Sequence, residues 1–395
     1  MSVLYISYDG MLEPLGQSQV LSYLERLGRA RRIHLISYEK PGDWQDAQAR
    51  EAVRDRLVAS GIQWHPLRYH KRLSVLATAW DIALGTAVGL TLVVRHHIGV
   101  VHARSYVAGI MALAIKRITG ARFLFDMRGF WVDERVDGGM WRRDSLLFRA
   151  GKAVERRLLQ GADHVVSLTH AGVGELQQFD YLRGHMPLST VIPTCADLSR
   201  FCPGPPRDSG QDFIVGIVGT VGTWYLIEPM LSCFKILRGL RPEARLRILN
   251  RGEHDVIRSK VASAGIPLEV VELEAVSHTQ VASEMAQMDV AIFFIKPCFS
   301  KQGSSPTKLA EFLGCGVPCL SNDGVGDMTA VLRDESVGVV ADGFSASALE
   351  KGVRELLALV QVSGIRERCV EVAHKYFSLE AGVAQYHDIY QSLGG

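Results

Sequence analysis

The sequence has no cysteine pair at C-x-x-C spacing and no histidine group at metal-ligand spacing. Its seven cysteines, Cys195, Cys202, Cys233, Cys298, Cys315, Cys319 and Cys369, are odd in number and scattered. They offer neither a zinc site nor a disulfide framework and read as buried thiols of a reducing compartment. The turn after the first strand-like run is DGMLEPLGQ, without G-x-G-x-x-G, so the fingerprint of a nicotinamide dehydrogenase is missing. A G-x-S-x-G elbow and a P-loop are missing too. Charge of one sign is also scarce in excess: 44 Lys and Arg face 42 Asp and Glu, a net charge of +2. That balance is too mild to argue for nucleic acid, and no RNA- or DNA-binding signature accompanies it. No basic region and cleavage site frame the N-terminal VLYISY run, so a cytoplasmic location is expected.

What is present is a repeated alternation. Apolar β-rich runs at Val3 to Tyr8, Ile33 to Tyr38, Val100 to Ala103, Arg122 to Asp126, His164 to Leu168 and Thr190 to Pro193 are separated by amphipathic stretches such as Ser18 to Ala30 and Asp43 to Ala59. Such βα units imply a parallel sheet covered on both faces. CPGPPRDSGQD follows Phe201 as a Pro/Gly/Ser linker. A second series then runs through Phe213 to Val218, Arg245 to Leu249, Leu268 to Leu273, Val290 to Ile295, Pro318 to Ser321 and Val337 to Val340. At 395 residues the chain exceeds one ordinary core. The expectation is an α/β protein of two doubly wound, Rossmann-like domains facing a cleft: 1–201, a linker at 202–211, and 212–377. The amphipathic stretch 378–395 is expected to pack back on the first domain.

The segment Leu73 to Val94, LSVLATAWDIALGTAVGLTLVV, is long enough to cross a bilayer and holds one charge, Asp81. Basic or histidine-rich flanks stand on both sides: His70, Lys71 and Arg72, then Arg95, His96 and His97. The first reading is a buried helix covering a sheet. The second is an inner-membrane surface contact through 70–97, with the flanks meeting anionic lipid.

SPTKLAEFLGCGVP, from Ser305 to Pro318, orders an anion socket, a cation and a carboxylate on one short helix. Ser305 and Pro306 read as N-cap and first helical position, leaving N–H groups and the positive dipole end for a phosphate. Lys308 adds a mobile charge. Glu311, three residues after Lys308 and four after Thr307, shares their face and suits paired ribose hydroxyls. The pattern by itself serves equally well as an ordinary capped surface helix.

YDGMLEPLGQSQVL, VHARSY, FDMRGFWVDERVDGG, VIPTCADLSRF, GTVGTWY and SPTKLAEFLGCGVPCLSNDGVGD follow one another along most of the chain. In that order they resemble the GT-B glycosyltransferases of the retaining family-4 group, which build bacterial surface polysaccharides and glycolipids. The resemblance implies a nucleotide-diphosphate sugar as co-substrate, no further cofactor and no tightly held metal. It matches Glu311 to the ribose-binding second glutamate of an E-x7-E motif. The first glutamate falls at Gly303, so backbone or side chains of Gln302 to Ser304 take its place. After Gly219, where relatives carry an Arg and a Lys against the diphosphate, GTVGTWY has no cation, and Lys308 and Arg251 are the expected replacements. Gly16, Gly219 and Gly222 would let backbone approach the donor, beside Ser304, Ser305 and Thr307.

On the acceptor side, Asp126, Arg128, Asp133, Glu134 and Arg135 crowd the loop after the FLF strand around Trp131, and Arg104 follows the VHA strand. Asp126 or Glu134 would orient the acceptor hydroxyl. Arg128 would meet the diphosphate or an acceptor phosphate, and Arg104, Trp131 and Asp133 would hold the acceptor. The expected function is transfer of a sugar to a hydroxyl of a saccharide or lipid-linked precursor, on the inner face of the plasma membrane. The rivals are a GT-B-shaped sugar-nucleotide epimerase and a catalytically silent nucleotide-binding subunit.

Overall fold

The computed structural model describes residues 2–70, 74–205, 212–277 and 280–394. Lys71 and Arg72 of the basic flank, Leu73 at the start of the apolar segment, and 206–211 of the linker lie outside them. The chain divides into two compact units, Met1–Pro193 with Leu379–Gly395, and Thr194–Ser378.

Among the described residues, the first unit holds β1 (Ser2–Ser7), β2 (Arg32–Glu39), β3 (Ile62–Arg68), β4 (Val100–Arg104), β5 (Arg122–Asp126), β6 (His164–Ser167) and β7 (Leu188–Val191). They form one parallel sheet in the order β3-β2-β1-β4-β5-β6-β7. β1, β4 and β5 are almost wholly buried, as a sheet with helices on both faces requires. The sequence reading passed over β3, IQWHPLR, because its pattern is polar and contains Pro66. The strand lies at the sheet edge, where a missing N–H costs no ladder bond.

The second unit holds β8 (Phe213–Val218), β9 (Ala244–Leu249), β10 (Val271–Glu274), β11 (Val290–Ile292), β12 (Cys319–Asn322) and β13 (Gly338–Ala341) in the parallel order β10-β9-β8-β11-β12-β13. The division falls after Pro193, ahead of the boundary expected at 201, for a packing reason. Ala196, Leu198 and Phe201 belong to the second core, and Gly314 lies so close to Phe201 O that a β-carbon would sit 2.7 Å from it. All seven cysteines are free thiols. Five are buried as expected, whereas Cys202 is exposed and Cys298 half-buried.

The apolar segment forms the helix Ser74–His96. Asp81 faces inward, its carboxylate accepting from Tyr8 Oη at 2.8 Å and lying 2.6 Å from His70 Nδ1. Gly85 and Gly89 bring the same face against Tyr38, Met111 and Ile115. The helix therefore covers the sheet, but only along that one face.

Near the end of this helix three imidazoles meet. His34 on β2 is fully buried, with Nδ1 3.4 Å from His65 Nε2 and its ring centroid 4.3 Å from that of His96. Burial, with His96 and His65 alongside, pushes the His34 pKa from 6.5 to about 4, and burial also lowers His65. The unfolded chain then binds protons that the folded chain refuses, so stability is present above the ordinary histidine value and is lost as pH falls toward 4. Urea unfolding should show a lower midpoint at about pH 5 than at about pH 7, with the slope reduced in His34→Leu.

Candidate functional site

Each sheet reverses its strand order once, between β1 and β4 and between β8 and β11. In doubly wound sheets, ligands collect at the carboxyl ends of the strands beside such a reversal.

In the second unit, β8 ends at Val218 and Gly219 follows with φ +108°. The positive φ favours glycine, and a β-carbon on Gly219 would lie 2.9 Å from Lys308 Nζ, so any side chain there would push the ammonium from its place. Lys308 is 8% exposed. Its ammonium donates to Val218 O at 2.6 Å and sits 3.5 Å from the Tyr225 ring centroid. Burial pushes its pKa down to about 7, against the opposing pull of Glu311. Glu311, half-buried, makes no hydrogen bond or ion pair among the described residues. Burial pushes its carboxyl up to about 7, while Lys308 and Arg200 draw it down.

Tyr225 is placed by an antiparallel bridge to Ile295, with Leu226 N–H donating to Phe294 O and Lys296 N–H to Trp224 O. Gly222, at φ +112°, closes the turn to Tyr225. The loop from Gly219 is held from below. Asn250 Nδ2 donates to Gly219 O at 3.0 Å and to Glu253 Oε2 at 2.8 Å, and Val221 N–H donates to that same Glu253 oxygen at 2.9 Å.

One expectation changes here. The helix starts at Thr307 with Pro306 at its N-cap, so Ser305 is not the cap. Its Oγ instead accepts from Thr194 N–H at 3.2 Å. Arg251, expected beside Lys308, is exposed at the end of β9 and makes no ion pair among the described residues. Thr307 opens the helix and Ser304 ends the preceding short turn, its N–H donating to Lys301 O. The N–H groups of Thr307 and Lys308 have no acceptor among the described residues.

In the first unit, Asp126 ends β5 and is 1% exposed. Tyr386 Oη donates to its Oδ2 at 3.2 Å, and His102 Nε2, Arg104 Nη1 and Arg128 Nη1 lie 3.9, 3.7 and 4.0 Å from its oxygens. Burial opposes ionisation, yet Arg128, His102 and Arg104 hold the carboxyl below the usual value. Enclosed at 1% exposure, the carboxylate anchors the two arginines and is not open to an acceptor hydroxyl in this structure, which departs from that expectation, although its Oδ1 has no hydrogen-bond partner. Arg104, itself buried, reaches Asp9 Oδ2 at 3.6 Å. Arg128 adopts φ +60°, a strain that a non-glycine residue keeps only where its surroundings fix it.

Asp133 is corrected as well. It points inward to Lys152 Nζ at 2.9 Å, and Lys152 also pairs with fully buried Glu155, which accepts from Tyr106 Oη at 2.8 Å. Trp131 stacks on Tyr106 with centroids 5.7 Å apart and carries the Arg135 guanidinium at 4.8 Å. Glu134 stands half-buried in the first turn of the helix Trp131–Asp137. Gly16, expected to approach a ligand, is buried against its own chain: a β-carbon would lie 1.9 Å from Gly10 O.

Residues 16–186 match the Glycosyl transferase 4-like domain, and residues 205–375 match Glycosyl transferases group 1. The chain belongs to the group 1 glycosyltransferases. Like other group 1 glycosyltransferases it uses a nucleotide sugar. Among solved structures it is similar to sucrose-phosphate synthase from Thermosynechococcus elongatus, at TM-score 0.71 and 14% identity over 100% of this chain and 99% of that one. It is similar to Anabaena HepE in complex with UDP and glucose, at TM-score 0.69 and 13% identity over 99% and 100%. It also resembles the lipopolysaccharide outer core galactosyltransferase WaaB, at TM-score 0.66 and 10% identity over 99% of each chain. These likenesses show the GT-B fold. No curated protein matches the sequence.

Sequence reasoning about this glycosyltransferase missed Asn250, Glu253 and Tyr225 in the second unit and His102, Lys152 and Tyr386 in the first. Asn250 carried a signal, a short polar side chain between a strand and the Gly252-Glu253 turn. Tyr386 carried none, since it meets Asp126 from 260 residues away. Lys152→Met leaves Asp133 and Glu155 buried without their cation and should lower unfolding free energy by ~2–4 kcal/mol in urea titration.

Proposed function

We propose that this glycosyltransferase moves a sugar from a nucleoside-diphosphate sugar to a hydroxyl of a saccharide or lipid-linked acceptor, with retention at the sugar carbon, on the cytoplasmic side of a membrane. The observation that carries the donor half is the Lys308 ammonium, desolvated at the end of β8 with only a carbonyl oxygen and an aromatic face as partners. A diphosphate would supply the missing anionic partner. The unacceptored N–H groups of Thr307 and Lys308 would share its charge as the glycosidic bond breaks. Glu311, three residues along the helix and itself unpaired, suits the ribose hydroxyls. The complex of the HepE relative with UDP and glucose favours UDP as the first base to try.

In the first unit, Arg104 and Arg128, fixed by Asp126, would present positive charge to an acceptor phosphate or to the leaving group. Glu134, half-buried in the first turn of the helix Trp131–Asp137, would be the carboxylate that meets the acceptor hydroxyl. Arg251, exposed in the turn that Asn250 holds after β9, would be a second cation for the diphosphate. The epimerase and silent-subunit readings have no observation in their favour beyond the sequence departures at Gly303 and after Gly219.

Titration calorimetry with UDP, GDP, ADP and CMP tests the donor reading. Lys308→Met or Glu311→Ala should weaken binding of the preferred nucleotide by roughly 1–3 kcal/mol and leave Tm nearly unchanged. Unchanged affinity with lost stability would return both residues to a structural role. Because the charged ammonium is the form that meets phosphate, wild-type affinity should fall as pH rises above about 7, and the Lys308→Met variant should lack that fall. Conversion of a UDP-sugar to its epimer without an acceptor would overturn the transferase reading.

A further inference from the structure

Apart from the inward Asp81 and its basic end, the helix Ser74–His96 is apolar, yet the first unit covers only one side of it. By length and composition it could cross a membrane, but only 28% of that window is buried. Its inner face is fixed to the sheet by the buried Asp81 carboxylate on Tyr8 and His70, by Tyr38 Oη donating to Asp81 O at 2.5 Å, and by the close packing of Gly85 and Gly89. A helix held that way is part of the unit's core and cannot leave it to span a bilayer. The opposite face stays bare: Leu76 is 70% exposed, Trp80 61% and Val94 67%.

The chemistry of that face favours one occupant. From Val75 to Val94 its only charge is the inward Asp81. The hydroxyls of Thr86 and Thr91 already donate to Ile82 O and Ala87 O of their own helix. A protein partner would bury a face about 34 Å long with almost no side-chain donor or acceptor to bond, whereas protein interfaces carry roughly one hydrogen bond per 100–200 Å². Hydrocarbon asks for none.

Cations stand at one end of the face. Gly85 meets Met111 and Gly89 meets Ile115, so the neighbouring helix Ser105–Thr119 runs in the same direction and ends beside Val94 and Arg95. Its last turn adds Ile118, 68% exposed, next to Arg117. Arg95 and Arg117 are exposed and make no ion pair among the described residues. Unpaired guanidiniums bordering an apolar strip complement a surface of hydrocarbon and phosphate.

We propose that the outer face of the Ser74–His96 helix rests on an anionic phospholipid bilayer, with Leu76 and Trp80 in the headgroup–acyl boundary and Arg95 and Arg117 against lipid phosphates. The docking surface belongs to a different unit from Lys308 and Glu311, and the proposal holds whether or not the donor assignment does.

Co-sedimentation of the full chain with vesicles of phosphatidylcholine plus phosphatidylglycerol, and with phosphatidylcholine alone, tests it by binding rather than by sugar transfer. Wild type should bind the anionic vesicles and release them as salt rises. Leu76→Glu/Trp80→Glu should lose binding by about tenfold or more with Tm unchanged. Arg95→Glu/Arg117→Glu, which leaves the apolar strip intact, should lose binding by roughly tenfold on anionic vesicles and little on neutral ones. Wild type remaining in the supernatant with both vesicle types would overturn the proposal, as would Leu76→Glu/Trp80→Glu sedimenting like wild type. Self-association abolished by Leu76→Glu/Trp80→Glu, without vesicle binding, would assign the face to a second copy of the chain instead.

Discussion

The Lys308 ammonium is a charge that folding has desolvated without an anionic contact. One carbonyl oxygen and one aromatic face recover part of its lost hydration, and its pKa falls toward neutrality for that reason. Much of the second unit's local structure exists to keep this arrangement. Gly219 must lack a side chain for the ammonium to reach Val218 O. The Ile295 bridge holds Tyr225 beneath it, and Asn250 with Glu253 fixes the backbone that carries Gly219 and Val221. A position so constrained yet electrostatically incomplete is more useful to a phosphate ligand than to stability, because removing a buried cation of this kind need not destabilise the fold.

The first unit solves the opposite problem. Asp126 is surrounded by His102, Arg104, Arg128 and Tyr386, and the two arginines place more positive than negative charge at the ends of β4 and β5. The C-terminal helix Leu379–Gly394 supplies the Tyr386 and Tyr390 hydroxyls to this cluster, the latter 2.6 Å from His102 Nδ1. That last segment of the chain thereby secures side chains read from the sequence as acceptor groups. The left-handed backbone at Ser105 and Arg128, just beyond two adjacent strands, marks the same place as one where geometry was favoured over local comfort.

The architecture was legible because periodicity and turn chemistry are local. Apolar runs such as FIVGIV and RFLFD became β8 and β5 within the residues expected, and only β3, whose Pro66 is harmless at a sheet edge, escaped notice. Side-chain roles were less legible because they depend on direction. Spacing put Lys308 and Glu311 on one helix face, as found, but could not tell that Asp133 turns inward to Lys152 or that Asp126 is enclosed. Gly16 shows the same limit: a glycine before a helix signals close approach without naming what approaches, and here it is the Gly10 carbonyl. For the Ser74–His96 helix, composition announced hydrophobicity, and only packing revealed which face the fold uses and which it leaves bare.

A crystal structure with UDP bound tests the central claim most directly. The account predicts the diphosphate within hydrogen-bond distance of Lys308 Nζ and of the N–H groups at Thr307 and Lys308, with ribose hydroxyls on the Glu311 carboxylate and the Lys308 ammonium drawn away from Val218 O. Nucleotide bound elsewhere, with Lys308 still on that carbonyl and Glu311 still without a partner, would contradict it.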